Sequence, residues 1–173
     1  YNRVMVKAIK SLGQNFLQNQ QIVSEMVDLL DIKENSIVIE IGPGPGIFTK
    51  EIISRLNDSN MFYAIELDKR FANDLFNKYK NYKNVHIINA NFLDWIKDID
   101  LKGDIIVLGS IPYYITSPII HNLIKANIKI NNIILMIQKE VAQKICEQKV
   151  KPNYFSTFVK TFYDVKYIKT VLN

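Results

Sequence analysis

Three groups of residues in this sequence have the types and spacing for chemistry. The first is Glu40-Ile-Gly-Pro-Gly-Pro-Gly46. Glycines between a strand and a helix remove Cβ atoms, so a ligand can approach the backbone. The amides at the start of the helix would face that ligand. The second is Glu66, at the end of the run Met61-Phe-Tyr-Ala-Ile-Glu66. An acid at a strand end roughly 20 residues past such a turn can accept both hydroxyls of a ribose. Together the two spell a nucleoside-containing ligand. The plainer reading is an ordinary turn beside a solvated acid. A dinucleotide fingerprint needs G-x-G-x-x-G, and its sixth position here is Ile47. The spacing G-x-G-x-G with two stiffening prolines favours a ligand without a pyrophosphate. The third group is Gly109-Ser110-Ile111-Pro112-Tyr113-Tyr114. Carbonyls fixed by a proline can accept from an exocyclic amine, and tyrosine stacks on a flat heterocycle at about 1–3 kcal/mol per base. That combination suits a nucleobase amino group. The alternative is a loop tyrosine that caps the core. A further stretch, Lys10-Ser-Leu-Gly-Gln-Asn-Phe-Leu17, reads either as a lid over a ligand or as the entry to the first helix.

Elements must hold these groups in place. Ile22, Met26, Leu29 and Leu30 recur at helical spacing and predict a helix over 18–31. The β-branched run 36–41 predicts a strand, the glycines a turn, and 47–56 a helix. Strands follow at 61–66, 85–88, 104–108 and 132–137. Helices follow at 69–80, 117–126, 139–147 and 153–162, with a sixth strand over 165–171. Repeated strand, turn and helix predict an α/β fold, a mostly parallel sheet flanked by helices. Right-handed crossovers then put the ligand at the carboxyl ends of the strands, where all three groups lie.

The 173 residues are enough for one domain that buries roughly two-thirds of its unfolded surface. Apolar residues make up 48% and charged residues 23%, which excludes disorder as a description of the whole. A single cysteine, Cys146, excludes a disulfide framework and a cysteine-based zinc site; with His86 and His121 the only histidines, no metal is expected. The longest uncharged stretch, 105–120, is too short and too broken by Gly109, Pro112 and Pro118 to span a bilayer. The chain opens on Tyr1, so its natural start is expected upstream. The net charge of +5 is uneven: residues 1–24 carry +3, 25–104 carry −4, 105–148 carry +2 and 149–173 carry +4. Basic ends attract phosphate backbones without regard to sequence.

Five segments taken together resemble the ribosomal RNA adenine N6-dimethyltransferases, the KsgA/Erm family. They are Leu12-Gly-Gln-Asn-Phe-Leu17, Val38-Ile-Glu-Ile-Gly-Pro-Gly44, Ala64-Ile-Glu-Leu-Asp68, Ile111-Pro-Tyr-Tyr-Ile-Thr-Ser-Pro118 and Met136-Ile-Gln-Lys-Glu-Val-Ala142, in the family's order. Glu40-Ile-Gly-Pro-Gly and Gln138-Lys-Glu lean toward the KsgA branch, which modifies small-subunit RNA. The resemblance implies a Rossmann-like methyltransferase fold, S-adenosylmethionine as cofactor, and two methyl transfers to adenine N6. It implies that Asn15, Leu17, Gly42, Gly44, Glu66, Asn91 and Ser110 border the cofactor. Ser110, Ile111, Pro112 and Tyr113 would handle the target base. Asn91 stands where the family has an aspartate that reads the cofactor's adenine, and Ser110 where it has an asparagine that accepts from the target amine. A sulfonium methyl is already activated, so neither a metal nor a nucleophilic side chain is needed. The implied partners are ribosomal RNA and the small subunit, with no membrane, a monomer favoured, and the cytoplasm or an organelle as the place. Residues 1–17 would form a basic lid and 18–173 the catalytic domain, cut before the last sheet strand and a C-terminal helical domain. The departures at Asn91 and Ser110 leave a second reading, a catalytically weak RNA-binding or ribosome-assembly factor. A nicotinamide oxidoreductase is disfavoured by Ile47 and the Ile-Pro-Tyr loop, while methylation of DNA or protein stays open.

Overall fold

The computed structural model describes residues 19–146 and 154–171. Their elements run α1 (Gln20–Asp28), β1 (Ser36–Ile41), α2 (Ile47–Ile53), β2 (Met61–Glu66), α3 (Lys69–Tyr79), β3 (Val85–Asn89), α4 (Phe92–Asp98), β4 (Asp104–Ser110), a 3-10 turn (Tyr113–Ile115), α5 (Thr116–Lys125), β5 (Ile130–Met136), α6 (Lys139–Cys146) and α7 (Tyr154–Phe162). The five strands form one parallel sheet in the order β3-β2-β1-β4-β5. The order reverses between β1 and β4, so their carboxyl ends open a crevice beside the glycine turn.

The layers follow from side-chain alternation. β1 is buried along its whole length. Its even positions and those of β2 and β4 (Val38, Phe62, Ala64, Ile106, Leu108) pack against α1, α2 and α3. The odd positions (Ile37, Ile39, Ile41, Ile65, Ile105, Val107) pack against α4 and α5. A central strand covered on both faces reads as a continuous apolar run rather than an alternating one. A smaller cluster of Ile120, Ile145 and Val159 joins α5, α6 and α7.

Helix starts have identifiable causes. The Asn19 side chain accepts from the amides of Gln21 and Ile22 and starts α1. Asp68 does the same for α3 through Arg70, and Asn91 for α4 through Leu93. At the head of α2, Gly46 has φ +82°, and a Cβ there would lie 2.4 Å from Leu75 Cδ2. The backbone angle favours glycine here, and any side chain would also have to push the Leu75 methyl aside.

The structure corrects the sequence reading at three places. Residues 165–171 form no strand; among the described residues β5 pairs with β4 alone, and a strand cannot exist without a ladder partner. Helix α4 was not foreseen; it fills the connection between β3 and β4 by burying Phe92 and Ile96. Gly109 and Ser110, expected in a loop, are the last residues of β4, opposite Leu135 and Met136. Among the described residues no helix is long and apolar enough to cross a membrane.

Candidate functional site

The carboxyl ends of β1, β2, β4 and β5 border one open groove of about 1700 Å³. Gly42, Gly44, Glu66 and Asn91 line it from the ends of β1 and β2 and the start of α4, and Ser110, Ile111, Pro112 and Tyr113 from the end of β4 and the turn after it. Eight of the ten predicted site residues therefore share one cavity. Asn15 and Leu17 lie outside the described residues.

The glycine turn is built for close approach. Gly42, Gly44 and Gly46 have φ of +64°, +54° and +82°. Gly42 donates to the Ile65 carbonyl at 2.9 Å, tying the turn to β2. A Cβ at Gly42 would meet nothing within 4 Å, so this part of the backbone is bare.

Glu66 is held rather than solvated. Its Oε2 accepts from the Gly44 amide at 2.8 Å and its Oε1 from the Asp68 amide at 2.7 Å. The residue is only 6% exposed. Burial pushes its carboxyl above the usual range and the charge of Asp68 adds to this; the amides of Asp68, Gly44 and Leu67 pull the other way without cancelling it. The strand end itself is clamped by β3, since Asn89 Nδ2 donates to the carbonyls of Glu66 and Leu67 at 2.8 and 3.1 Å. Each carboxylate oxygen keeps a lone pair for a second donor.

Asn91 has a task the sequence did not show. Its Oδ1 accepts from the Leu93 amide at 2.9 Å as the cap of α4. One of the oxygen's two lone pairs is thus spent on the fold, leaving the other and the amide NH₂ for a ligand.

At the end of β4, the Ile111 amide donates to the Met136 carbonyl at 2.9 Å, so β5 fixes the backbone just past Ser110. The Pro112 carbonyl accepts from the Thr116 hydroxyl at 3.0 Å and from the Ile115 amide at 3.2 Å. That carbonyl, one of those expected to meet an amine, is occupied by the turn it starts. Tyr113 and Tyr114 are 63% and 59% exposed. Tyr113 therefore does not cap the core, and its ring is accessible.

Sequence reasoning missed the condition of Glu40. This residue is 1% exposed beneath the glycine turn. Its Oε2 accepts from the Thr49 hydroxyl at 2.7 Å, while Oε1 has no partner among the described residues. Burial pushes its carboxyl up to about 8; Thr49 opposes this and the charge of Glu66 reinforces it. At neutral pH the pair divides into a largely neutral Glu40 and an amide-bound Glu66. The only sequence signal was an acid inside an otherwise apolar strand.

Comparison with known proteins fits this geometry. Residues 5–173 match the family described as ribosomal RNA adenine dimethylase. "Ribosomal RNA small subunit methyltransferase A" of Halothermothrix orenii is 37% identical over 91% of this chain and 54% of its own length. The protein of the same name from Mycoplasmopsis synoviae is 37% identical over 99% of this chain and 65% of its own. The chain thus spans about half to two-thirds of the length of these curated relatives. Among solved structures, a dimethyladenosine transferase from Plasmodium falciparum superposes with a TM-score of 0.70 at 28% identity, covering 84% of this chain and 52% of that one. The 23S rRNA methyltransferase ErmE gives 0.68 at 25% identity, covering 84% and 57%.

Proposed function

The chain belongs to the ribosomal RNA adenine dimethylase family, and from that premise we propose that it carries out S-adenosylmethionine-dependent N6-dimethylation of adenine in small-subunit ribosomal RNA. One observation carries the reading: Glu66 and Tyr113, the ribose-binding and base-stacking candidates, open onto the same groove. The small subunit is favoured over the large because the curated small-subunit relatives are 37% identical and ErmE 25%. The reading places the protein, as a monomer, with ribosomal subunits in the cytoplasm or an organelle, and makes 18–173 the catalytic domain behind a lid at 1–17.

The residues present fit the cofactor. The bare backbone at Gly42 leaves room for its methionine part. Glu66 is oriented by two amides to receive the ribose hydroxyls. Asn91 keeps acceptor and donor capacity for the adenine edge. Asn15 and Leu17 are assigned to the same ligand on the resemblance alone. S-adenosylmethionine supplies a sulfonium-activated methyl group. The protein's part is positioning and electrostatics. Tyr113 stacks on an adenine swung out of its RNA strand. The Ile111 carbonyl and the Ser110 hydroxyl accept from the N6 hydrogens. Those two acceptors favour a pyramidal nitrogen, whose lone pair is then less delocalised into the ring.

Incubation with labelled S-adenosylmethionine and unmodified small subunits, followed by mapping of modified adenines, tests this. Label is expected on adenine N6, and Glu66→Ala and Tyr113→Ala are expected to abolish it. Failure of the wild-type chain to bind S-adenosylmethionine in calorimetry would overturn the proposal.

A second reading, a weakly catalytic RNA-binding factor, is favoured by Ser110, whose hydroxyl is a shorter and rotatable acceptor. Removing one preorganised contact to a reacting group typically lowers a rate by about 10²–10³. Ser110→Asn is therefore expected to raise the methylation rate tenfold or more in a labelled-cofactor assay. An unchanged rate would make Ser110 a working substitute.

A further inference from the structure

The outer face of α5 and α7 carries a set of rings that the proposed reaction leaves unused. Tyr154, Phe158 and Phe162 recur at every fourth position of α7 and so share one face. That face is only partly packed: Phe158 in its middle is half-buried against Ile120, Ile145 and Val159, and its two ends are open. Ser156 and Val159 point inward, while Tyr154 and Phe162 are 77% and 58% exposed. His121 of α5 stacks on the same rings, with centroids 6.3 Å from Tyr154, 5.2 Å from Phe155 and 4.7 Å from Phe158. The interplanar angles are 17°, 22° and 16°, and Tyr154 lies 16° from Phe158. The imidazole is oriented by its Nδ1, 2.9 Å from the Ser117 carbonyl. The result is a stack of nearly parallel rings, Tyr154, His121 and Phe158, with Phe162 edge-on to Phe158 at 62°.

The strip is linked to the groove through α5, the helix that carries His121. Helix α5 begins directly after the turn that bears Tyr113 and Tyr114, both exposed. Helical rise puts His121 about 8 Å along the axis from Thr116, on the order of two stacked nucleotides. The surrounding charge is positive. Helices α5 to α7 carry Lys125, Lys139, Lys144 and Lys160 against Glu140 alone.

We propose that the strip of His121, Tyr154, Phe158 and Phe162 is a stacking platform for the unpaired RNA that flanks the target adenine. The inference rests on reading the groove as an RNA-modifying site and adds where the rest of the substrate strand lies. Aromatic faces set among cations are how single-stranded nucleic acid is held without sequence readout. A protein partner fits less well, because the centres of protein–protein interfaces are depleted of lysine.

The test uses the full chain and a short fluorescein-labelled single-stranded RNA of uridines with one central adenine, read by fluorescence anisotropy. Tyr154→Ala and Phe162→Ala are each expected to weaken binding about fivefold or more, and the double variant further. Tyr154→Phe keeps the ring and is expected to bind as the wild type does. Thermal unfolding followed by Trp95 fluorescence checks that the exposed substitutions leave the fold intact. Unaltered RNA affinity in the alanine variants would overturn the platform, as would a wild-type chain that binds no such RNA. Light scattering that shows a wild-type dimer dispersed by Tyr154→Ala would overturn it too, by assigning the strip to self-association. Failure of the groove reading looks different: the wild-type chain would not bind S-adenosylmethionine. Failure of the strip leaves that binding intact.

Discussion

Glu40 sits in the middle strand with one carboxyl oxygen on Thr49 and the other without a partner among the described residues. A carboxyl raised to about 8 in the folded chain, against about 4.5 unfolded, binds its proton more tightly when folded. Its contribution to stability is therefore fully present below pH 4.5 and is lost as pH rises through about 8. At about 1.4 kcal/mol per pH unit, the linked loss is at most on the order of 5 kcal/mol. Glu40→Gln holds the neutral form at every pH. Urea unfolding between pH 5 and 9 is expected to show the wild type losing stability relative to this variant and levelling off above pH 8. The slope of that difference is the readout, since the new amide changes the baseline by leaving its own donors buried. Equal slopes would place the Glu40 proton elsewhere.

At the scale of elements, the sequence carried the strands well and the short connections poorly. The runs at 36–41 and 104–108 are rich in β-branched residues and 61–66 in aromatic and aliphatic ones, and each is a strand. Helix α4 escaped because only Phe92 and Ile96 are buried, and unlike the equally short α2 it follows no glycine turn. The opposite error at 165–171 came from believing a local pattern whose partner strand is not among the described residues. Site residues behaved likewise. The places of Glu66, at the end of β2, and of Tyr113, in the turn after β4, were readable because the strands before them were. The capping bond of Asn91 was hidden with the helix it begins. That bond yields a prediction. Asn91→Ala removes the α4 cap, a loss of about 1 kcal/mol, and is expected to lower the melting temperature by about 2–4 °C. Asn91→Asp keeps an acceptor and adds a charge that suits a helix start. It is expected to melt at or above the wild-type temperature and to bind S-adenosylmethionine more tightly in calorimetry. A fall in both properties would show that the amide NH₂, rather than the oxygen, is what this position supplies.

Across the whole molecule, the groove draws on four of the five strands, so its walls stand or fall with the sheet. β1, the strand beneath the glycine turn, is flanked by β2 and β4 and covered on both faces. The side of the groove formed by the glycine turn and Glu66 is therefore tied to the most buried part of the chain, and a ligand there reports on global unfolding. Binding to the folded state alone adds about 2.7 kcal/mol at a hundredfold excess over Kd. For a domain of this size that is a rise of about 5–10 °C in melting temperature. S-adenosylmethionine at that excess is expected to give such a rise in the wild type. In Glu66→Ala the proposed ribose contacts would be lost, and a hydrogen bond to a charged group contributes about 1.5–3 kcal/mol. The same ligand concentration is then expected to shift the melt by only a few degrees. Tyr113→Ala, in the turn after β4 and open to solvent, is expected to keep the full shift while losing methyl transfer. If Glu66→Ala kept the full shift as well, Glu66 and Tyr113 would not divide cofactor from base as proposed.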